Sequence, residues 1–231
     1  RYTFMGVEPE EIITSEKDSL VITYRDGTKK VKKGNPLKLL KEYYSDFEIQ
    51  KENEELNFSG GLVGNLGYDF VRYTEDIPDD NPDEIGIETI QLMLMKEFLI
   101  VDQVAETLTA VILETPDIEG EKRAKKAAEE LIEKVMTEHA EKPVELQQDG
   151  VIFHKSDTLE QYSEKVNKIK DYIREGHIFQ TVLSQRWTIE TEQEGFSLYH
   201  ELKELNPSPY LYYFNFGTFE VIGSSPEMIV K

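Results

Sequence analysis

Gly60-Gly61-Leu62-Val63-Gly64-Asn65-Leu66-Gly67-Tyr68-Asp69 is the stretch whose reading decides the fold. Its glycines at 60, 61, 64 and 67 loosely imitate a phosphate loop. A true phosphate loop sits at a strand-to-helix turn. These glycines lie within an apolar strand, where missing side chains let neighbouring backbones approach closely. Sheet packing is therefore the better reading.

Working outward, the first half reads mostly as strands. Arg1 to Val7, Ile12 to Ser15 and Leu20 to Tyr24 are β-prone, and Arg25-Asp26-Gly27-Thr28 is a turn before Lys29 to Lys33. Asn35-Pro36 opens a helix, with Asn35 as N-cap and Leu37, Leu40, Tyr44 and Phe47 as its apolar stripe. After the glycine strand comes an acidic, proline-bearing loop, Asp76 to Glu84. Gln91 to Asp102 and Thr107 to Glu114 form a hairpin around Val104-Ala105-Glu106. Glu121 to His139 is a helix, since Ala124, Ala128, Leu131 and Val135 recur at helical spacing.

The polar stretch Glu141 to Gly150 breaks the pattern and reads as a linker, so residues 1–142 and 151–231 are expected to form two units. Beyond it, Asp157 and Glu160 make a capping-box pair for a helix with Tyr162, Val166, Ile169 and Ile173 buried and Gly176 at its end. Ile178 to Ile189 reads as a strand and Ser197 to Leu205 as a short helix. Asn206-Pro207-Ser208-Pro209 is a rigid turn, because two prolines fix two φ angles. Tyr210 to Phe216 and Thr218 to Ile222 read as paired strands. The class is α+β with mostly antiparallel sheet.

Composition narrows the function classes. The chain has 46 Asp+Glu against 26 Lys+Arg, a net charge of −20, so nucleic acid and anionic membrane surfaces are poor partners. An anionic metabolite would need a local cluster of donors. With no cysteine, disulfides, thiolate nucleophiles and Cys-based zinc sites are excluded. No apolar run approaches the roughly 20 residues of a membrane helix. There is no Ser-His-Asp arrangement and no His-x-x-x-His pair, and the four histidines are scattered. The abrupt start at Arg1 and the strand-like end at Val230-Lys231 are expected to be cut from something longer.

Five segments together resemble component I of anthranilate synthase, in the chorismate-utilising family. Arg1-Tyr2-Thr3-Phe4-Met5-Gly6 with Glu8-Pro9 resembles the family's "RYSFIG…P" opening, and Gly60 to Asp69 its "GGLVGYLGYD" strand, with Arg72 and Glu75 following. Gly176 to Arg186 resembles "GDIFQVVLSQR", Asn206 to Leu211 "NPSPYM", and Gly223 to Glu227 "GASPE". They run the length of the chain in family order.

The resemblance implies packed antiparallel sheets in a sandwich with helices outside. It implies an enzyme, a lyase of tryptophan biosynthesis expected in the cytoplasm. That enzyme converts chorismate to anthranilate and pyruvate with Mg2+, takes ammonia from a glutamine amidotransferase subunit and is feedback-inhibited by tryptophan. It implies that residues 1–142 are the N-terminal domain and 151–231 the first part of the chorismate-binding domain. The Mg2+ ligands and catalytic histidine would lie further along the family's sequence, with no metal ligand in this chain, which alone is expected to be inactive. Pro209, Tyr210 and Leu211 would line the tryptophan site, supported by Asn206, Pro207 and Gly223. Gln180 would sit on the nucleophile side of bound chorismate. His177 stands where the family usually has an acid, and Leu211 where it has methionine, a volume-conserving exchange. Component I of aminodeoxychorismate synthase, or a non-catalytic tryptophan- or partner-binding module, are the alternatives.

Overall fold

A computed structural model describes residues 1–49, 58–137, 151–228 and 230. The chain divides into two compact units, Arg1–Ala140 and Glu141–Lys231. The expected linker, Glu141 to Gly150, and the expected last turn of the second helix, to His139, lie outside the described residues.

Unit 1 is built on a five-stranded antiparallel sheet. Its strands are β2 (Glu11–Glu16), β3 (Ser19–Tyr24), β4 (Lys29–Lys33), β5 (Gly61–Leu66) and β6 (Ile90–Met95), in the order β4-β3-β2-β6-β5. A three-stranded sheet holds β1 (Tyr2–Met5), β7 (Glu97–Asp102) and β8 (Thr107–Ile112), in the order β1-β7-β8. Strand alternation sorts the five-stranded sheet into two apolar faces. Ile13, Leu20, Ile22, Ile90 and Leu92 point to one face, where Tyr43, Leu39 and Leu40 of helix α1 (Pro36–Ser45) complete the core. Val63 and Met93 point to the other and meet Phe98, Ile100 and Val111 of the three-stranded sheet. Helix α2 (Ile118–Thr137) lies along β8.

The α+β, antiparallel expectation holds, with several local corrections. Gln91 to Asp102 is not one strand: it breaks at Lys96, β6 serving the larger sheet and β7 the smaller. Hydrophobic periodicity carries through the break because both pieces are buried. In α1, Asn35 does cap, its Oδ1 accepting from the Lys38 amide at 3.1 Å, but Tyr43 and not Tyr44 is buried, Tyr44 being 54% exposed. Helix α2 starts at Ile118, three residues before Glu121, where Asp117 Oδ1 accepts from the Gly120 amide at 2.7 Å.

Unit 2 has a two-residue ladder, β9 (His154–Lys155) with β10 (Trp187–Thr188), helix α3 (Leu159–Arg174), helix α4 (Gly195–Leu205), and a hairpin of β11 (Tyr210–Asn215) and β12 (Glu220–Ser225). The cap of α3 is one residue later than expected. Thr158 Oγ1 accepts from the Gln161 amide at 3.3 Å, and Gln161 Oε1 from the Thr158 amide at 2.9 Å. Asp157 instead pairs with Lys165. Ile178 to Ile189 is not a strand over its length, since only Trp187 and Thr188 find a ladder partner. Nor is the α3 stripe buried. Tyr162, Val166 and Ile169 are half-buried and Ile173 is exposed.

Candidate functional site

The glycine strand β5 is a packing device. A Cβ at Gly64 would fall 2.2 Å from the Gln91 carbonyl oxygen of β6, so only glycine lets the two strands close up. The opening motif is likewise structural. The Arg1 guanidinium meets Asp102 Oδ2 at 3.0 Å through NH2 and 3.2 Å through Nε, fixing β1 to the end of β7. Asp102 Oδ1 also accepts from the Val104 and Ala105 amides, which closes the β7–β8 turn. Arg1, with these two amides, holds the Asp102 carboxyl down at about 2. Arg72 clamps the acidic loop, binding Asp69 at 2.8 Å, Asp79 at 3.3 Å and the Ile77 and Pro78 carbonyls.

The Asn206 to Pro209 turn joins α4 to β11. Asn206 ends the helix, its amide donating to the Leu202 carbonyl at 2.8 Å. Its own carbonyl accepts from Ser224 Oγ at 2.9 Å, which pins the turn to β12. In the hairpin register, Tyr210 faces Ser225, Leu211 faces Ser224 and Tyr212 faces Gly223. Alternation therefore puts Tyr210, Tyr212 and Gly223 on one face and Leu211, Tyr213 and Ser224 on the other. The second face packs α4, with the Phe196 and Tyr213 rings 5.3 Å apart. On the first face the Tyr212 ring lies over bare Gly223, where a Cβ would fall 2.1 Å from Cζ.

The residues singled out in this turn thus separate. Tyr210 and Gly223 share one surface; Leu211 lies on the other, with Ser224 tied to Asn206. Tyr212 and Ser224 were missed by sequence reasoning. The predicted second strand stopped at Ile222, one residue short of Gly223, so the pairing of Tyr212 with that glycine was out of reach of the sequence reading.

Gln180 is exposed in the segment without a ladder, two residues after half-buried Ile178. Phe179 and Val182 beside it are 92% and 85% exposed. The segment is anchored by Tyr162, whose hydroxyl donates to the Leu183 carbonyl at 3.4 Å, and by Ser156, whose Oγ accepts from the Arg186 amide at 3.1 Å. His177 is the third residue past the end of α3. Its amide bonds the Tyr172 carbonyl at 3.0 Å and the Gly176 amide bonds that of Ile173 at 3.2 Å, a Schellman end with Gly176 at φ +81°. The His177 imidazole lies 3.3 Å from Glu175 and against the Tyr172 ring. This position suits a cation at a helix C-terminus.

Two surface hollows, of about 730 and 340 Å³, lie in unit 1 and include none of these unit 2 residues. The larger is lined by Glu16, Asp18 and Glu88 together with Lys17 and Lys33, and burial beside Glu16 and Asp83 pushes the Glu88 carboxyl up. Among the described residues no three His, Asp or Glu side chains come together as a metal site. No described helix is long and apolar enough to cross a membrane.

The family model described as chorismate binding enzyme matches residues 2–231. The anthranilate synthase component 1 of Pseudomonas aeruginosa is 35% identical over all of this chain and 49% of its own length. That of Acetivibrio thermocellus is 31% identical over the same shares. The crystal structure of anthranilate synthase component I from Streptococcus pneumoniae TIGR4 superimposes with a TM-score of 0.79 at 28% identity, covering 98% of this chain and 50% of that one. The chain spans about half the length of the curated relatives it matches.

Proposed function

We propose, from the premise that this chain belongs to the family of chorismate binding enzymes, that it works as part of an anthranilate synthase component I. The carrying observation is the match along the whole chain to relatives bearing that name. On this reading the complete enzyme, a cytoplasmic lyase, converts chorismate and ammonia to anthranilate and pyruvate. A glutamine amidotransferase subunit supplies the ammonia, Mg2+ is the metal cofactor, and tryptophan inhibits by feedback. Residues 1–142 are the N-terminal domain and 151–231 contribute to the chorismate-binding domain.

Gln180 supports an ammonia user. Water is a poor nucleophile and needs a base, a role open to a lysine whose pKa is lowered by desolvation. Neutral ammonia already offers its lone pair. A glutamine can orient it by hydrogen bonds without taking a proton.

Pro209, Tyr210 and Leu211 are proposed to serve the tryptophan site, Tyr210 from one face of β11 and Leu211 from the other. The rigid turn lowers the ordering cost of binding, Tyr210 offers a ring face to the indole, and Leu211 faces the Asn206–Ser224 side.

The test is a chimera in which this chain replaces the matched half of the Pseudomonas aeruginosa relative. Anthranilate is expected from chorismate and ammonium. Chromatography that shows aminodeoxychorismate instead would move the assignment to that enzyme. Gln180→Lys should lower ammonia-dependent output; an unchanged rate makes Gln180 structural. Leu211→Arg should abolish tryptophan inhibition while sparing turnover.

A further inference from the structure

One edge of the five-stranded sheet in unit 1 runs against the charge of the chain. Strand β4 reads Lys29-Lys30-Val31-Lys32-Lys33 and, among the described residues, ends the sheet on that side. From Arg25 to Lys41 there are seven basic residues and one acid, Asp26, although acids outnumber bases 46 to 26 in the whole chain. Elsewhere in unit 1 basic side chains find those acids. Arg25 and Lys96 share Glu10 at 3.8 and 3.6 Å, and Lys122 and Lys126 pair with Glu119 and Glu130. Among the described residues no carboxylate comes within ion-pair distance of Lys29, Lys30, Lys32 or Lys33. The fold leaves this positive edge clear of its own acid excess.

The register defines what the edge presents. Lys30 and Lys32 lie opposite Ile22 and Leu20, which point to the α1 core, so both stand on the α1 face of the sheet. Lys29, Val31 and Lys33 stand on the other face, with Val31 57% exposed. Backbone bonding alternates along an antiparallel pair as well. The Tyr24 amide donates to the Thr28 carbonyl at 2.9 Å, and the Gly34 amide to the Asp18 carbonyl at 2.7 Å. Counting in twos from either end puts Lys30 and Lys32 in bonded pairs with β3. The amides and carbonyls of Lys29, Val31 and Lys33 therefore point away from β3, where no described residue meets them.

We propose that the β4 edge docks an acidic, extended segment of a partner protein, which adds to the sheet as a sixth strand. Main-chain bonds at Lys29, Val31 and Lys33 give such a strand its hold, and lysines on both faces select acidic side chains in it. The same chemistry rejects the other occupants. A second copy pairing through β4 would set Lys29 against Lys33 and Lys30 against Lys32, like charges directly opposite, which destabilise a ladder. Edge lysines thus discourage pairing with a like strand while they recruit an unlike one. Nucleic acid and anionic membrane offer phosphates but no alternating amides and carbonyls to match the edge, and they would meet the net charge of −20 beyond it. The residues proposed to meet chorismate and tryptophan lie in unit 2, so the inference does not rest on the proposed activity.

The test titrates the 231-residue chain into a fluorescein-labelled peptide with the core Glu-Glu-Val-Glu-Glu, reading anisotropy and amide hydrogen exchange. Antiparallel pairing sets each glutamate of that core opposite a lysine of β4. The peptide should bind, more weakly as salt rises, and should slow exchange at Lys29, Val31 and Lys33 on the order of tenfold. The same peptide with alternate backbone amides methylated keeps its charge but loses the ladder, and should not bind. Lys29→Glu with Lys33→Glu changes two exposed side chains, so the unit 1 melt should stay while affinity falls roughly tenfold or more. Lys125→Glu with Lys134→Glu, the same charge change on α2, should leave affinity as it was. Equal binding of the methylated peptide overturns the added strand, and binding kept in the β4 double variant overturns its place. Tighter binding of oligothymidylate or of phosphatidylserine vesicles overturns the choice of partner. No binding of the peptide at low salt overturns the proposal, and the lysines then only keep the edge from pairing.

Discussion

Asp102 carries more of unit 1 than its position at a strand end suggests. One carboxylate holds the N-terminal strand through Arg1 and closes the β7–β8 turn through two amides. Its folded-state pKa, about 2, lies below the ordinary 3.8. A depressed carboxyl stabilises the fold above its unfolded value and loses that contribution as pH falls through the folded one. Acid should therefore weaken the fold between about pH 4 and 2, and Asp102→Asn should flatten this step in an acid titration followed by circular dichroism. Gly64 makes the opposite argument, from the absence of atoms. Gly64→Ala forces the β5 and β6 backbones apart and should cost about 1–3 kcal/mol in a urea titration. The close approach was legible from glycine spacing, whereas the Arg1–Asp102 pair, 101 residues apart, was not.

At the scale of elements, periodicity located most helices and strands, and tertiary pairing decided the rest. Local chemistry was legible at Asn35, where proline at the next position leaves little alternative. It was ambiguous at Asp157-Thr158, since both residues can cap and an acceptable partner stands three residues after each. The backbone of Thr158, at φ −73° and ψ 167°, settles the choice. Thr158→Ala should therefore destabilise α3 by about 1 kcal/mol, read as a lower helical signal in unit 2. Asp157→Ala should cost less, as it removes a surface pair. The break at Lys96 had no local signal, because β6 and β7 are apolar on both sides of it. The failure of Ile178 to Ile189 to form a strand has the same origin. Its composition favours a ladder, and a ladder needs a neighbour that no local pattern reveals. The Tyr210–Leu211 division was likewise not drawn from the sequence, which grouped the two residues in one wall; strand alternation in the observed register separates them.

At the scale of the molecule, two units of unlike completeness share one chain. Unit 1 has two apolar clusters and should unfold cooperatively. The only tryptophan, Trp187, is 52% exposed in unit 2, against Phe153 and Lys155. Its emission should lie near that of free indole in water and should change little through the unit 1 transition; a large blue-shifted signal that is lost with unit 1 would contradict this. The same asymmetry bears on activity. Removing the chorismate ring hydroxyl requires acid–base groups and charge stabilisation at the departing oxygen. Among the described residues no group of three His, Asp or Glu side chains is placed to hold a metal ion, and only Trp187 and Thr188 of the stretch from Ile178 to Ile189 join a ladder. Gln180 is exposed on that segment, and a solvent-exposed side chain does not supply the near-attack geometry from which much of the rate of an amine addition derives. The 231-residue chain by itself should therefore form no anthranilate from chorismate, ammonium and Mg2+, measured by anthranilate fluorescence at high protein concentration. Turnover that depends on Mg2+ and disappears with chelator would show that the chain builds a metal site unaided, and would overturn this expectation.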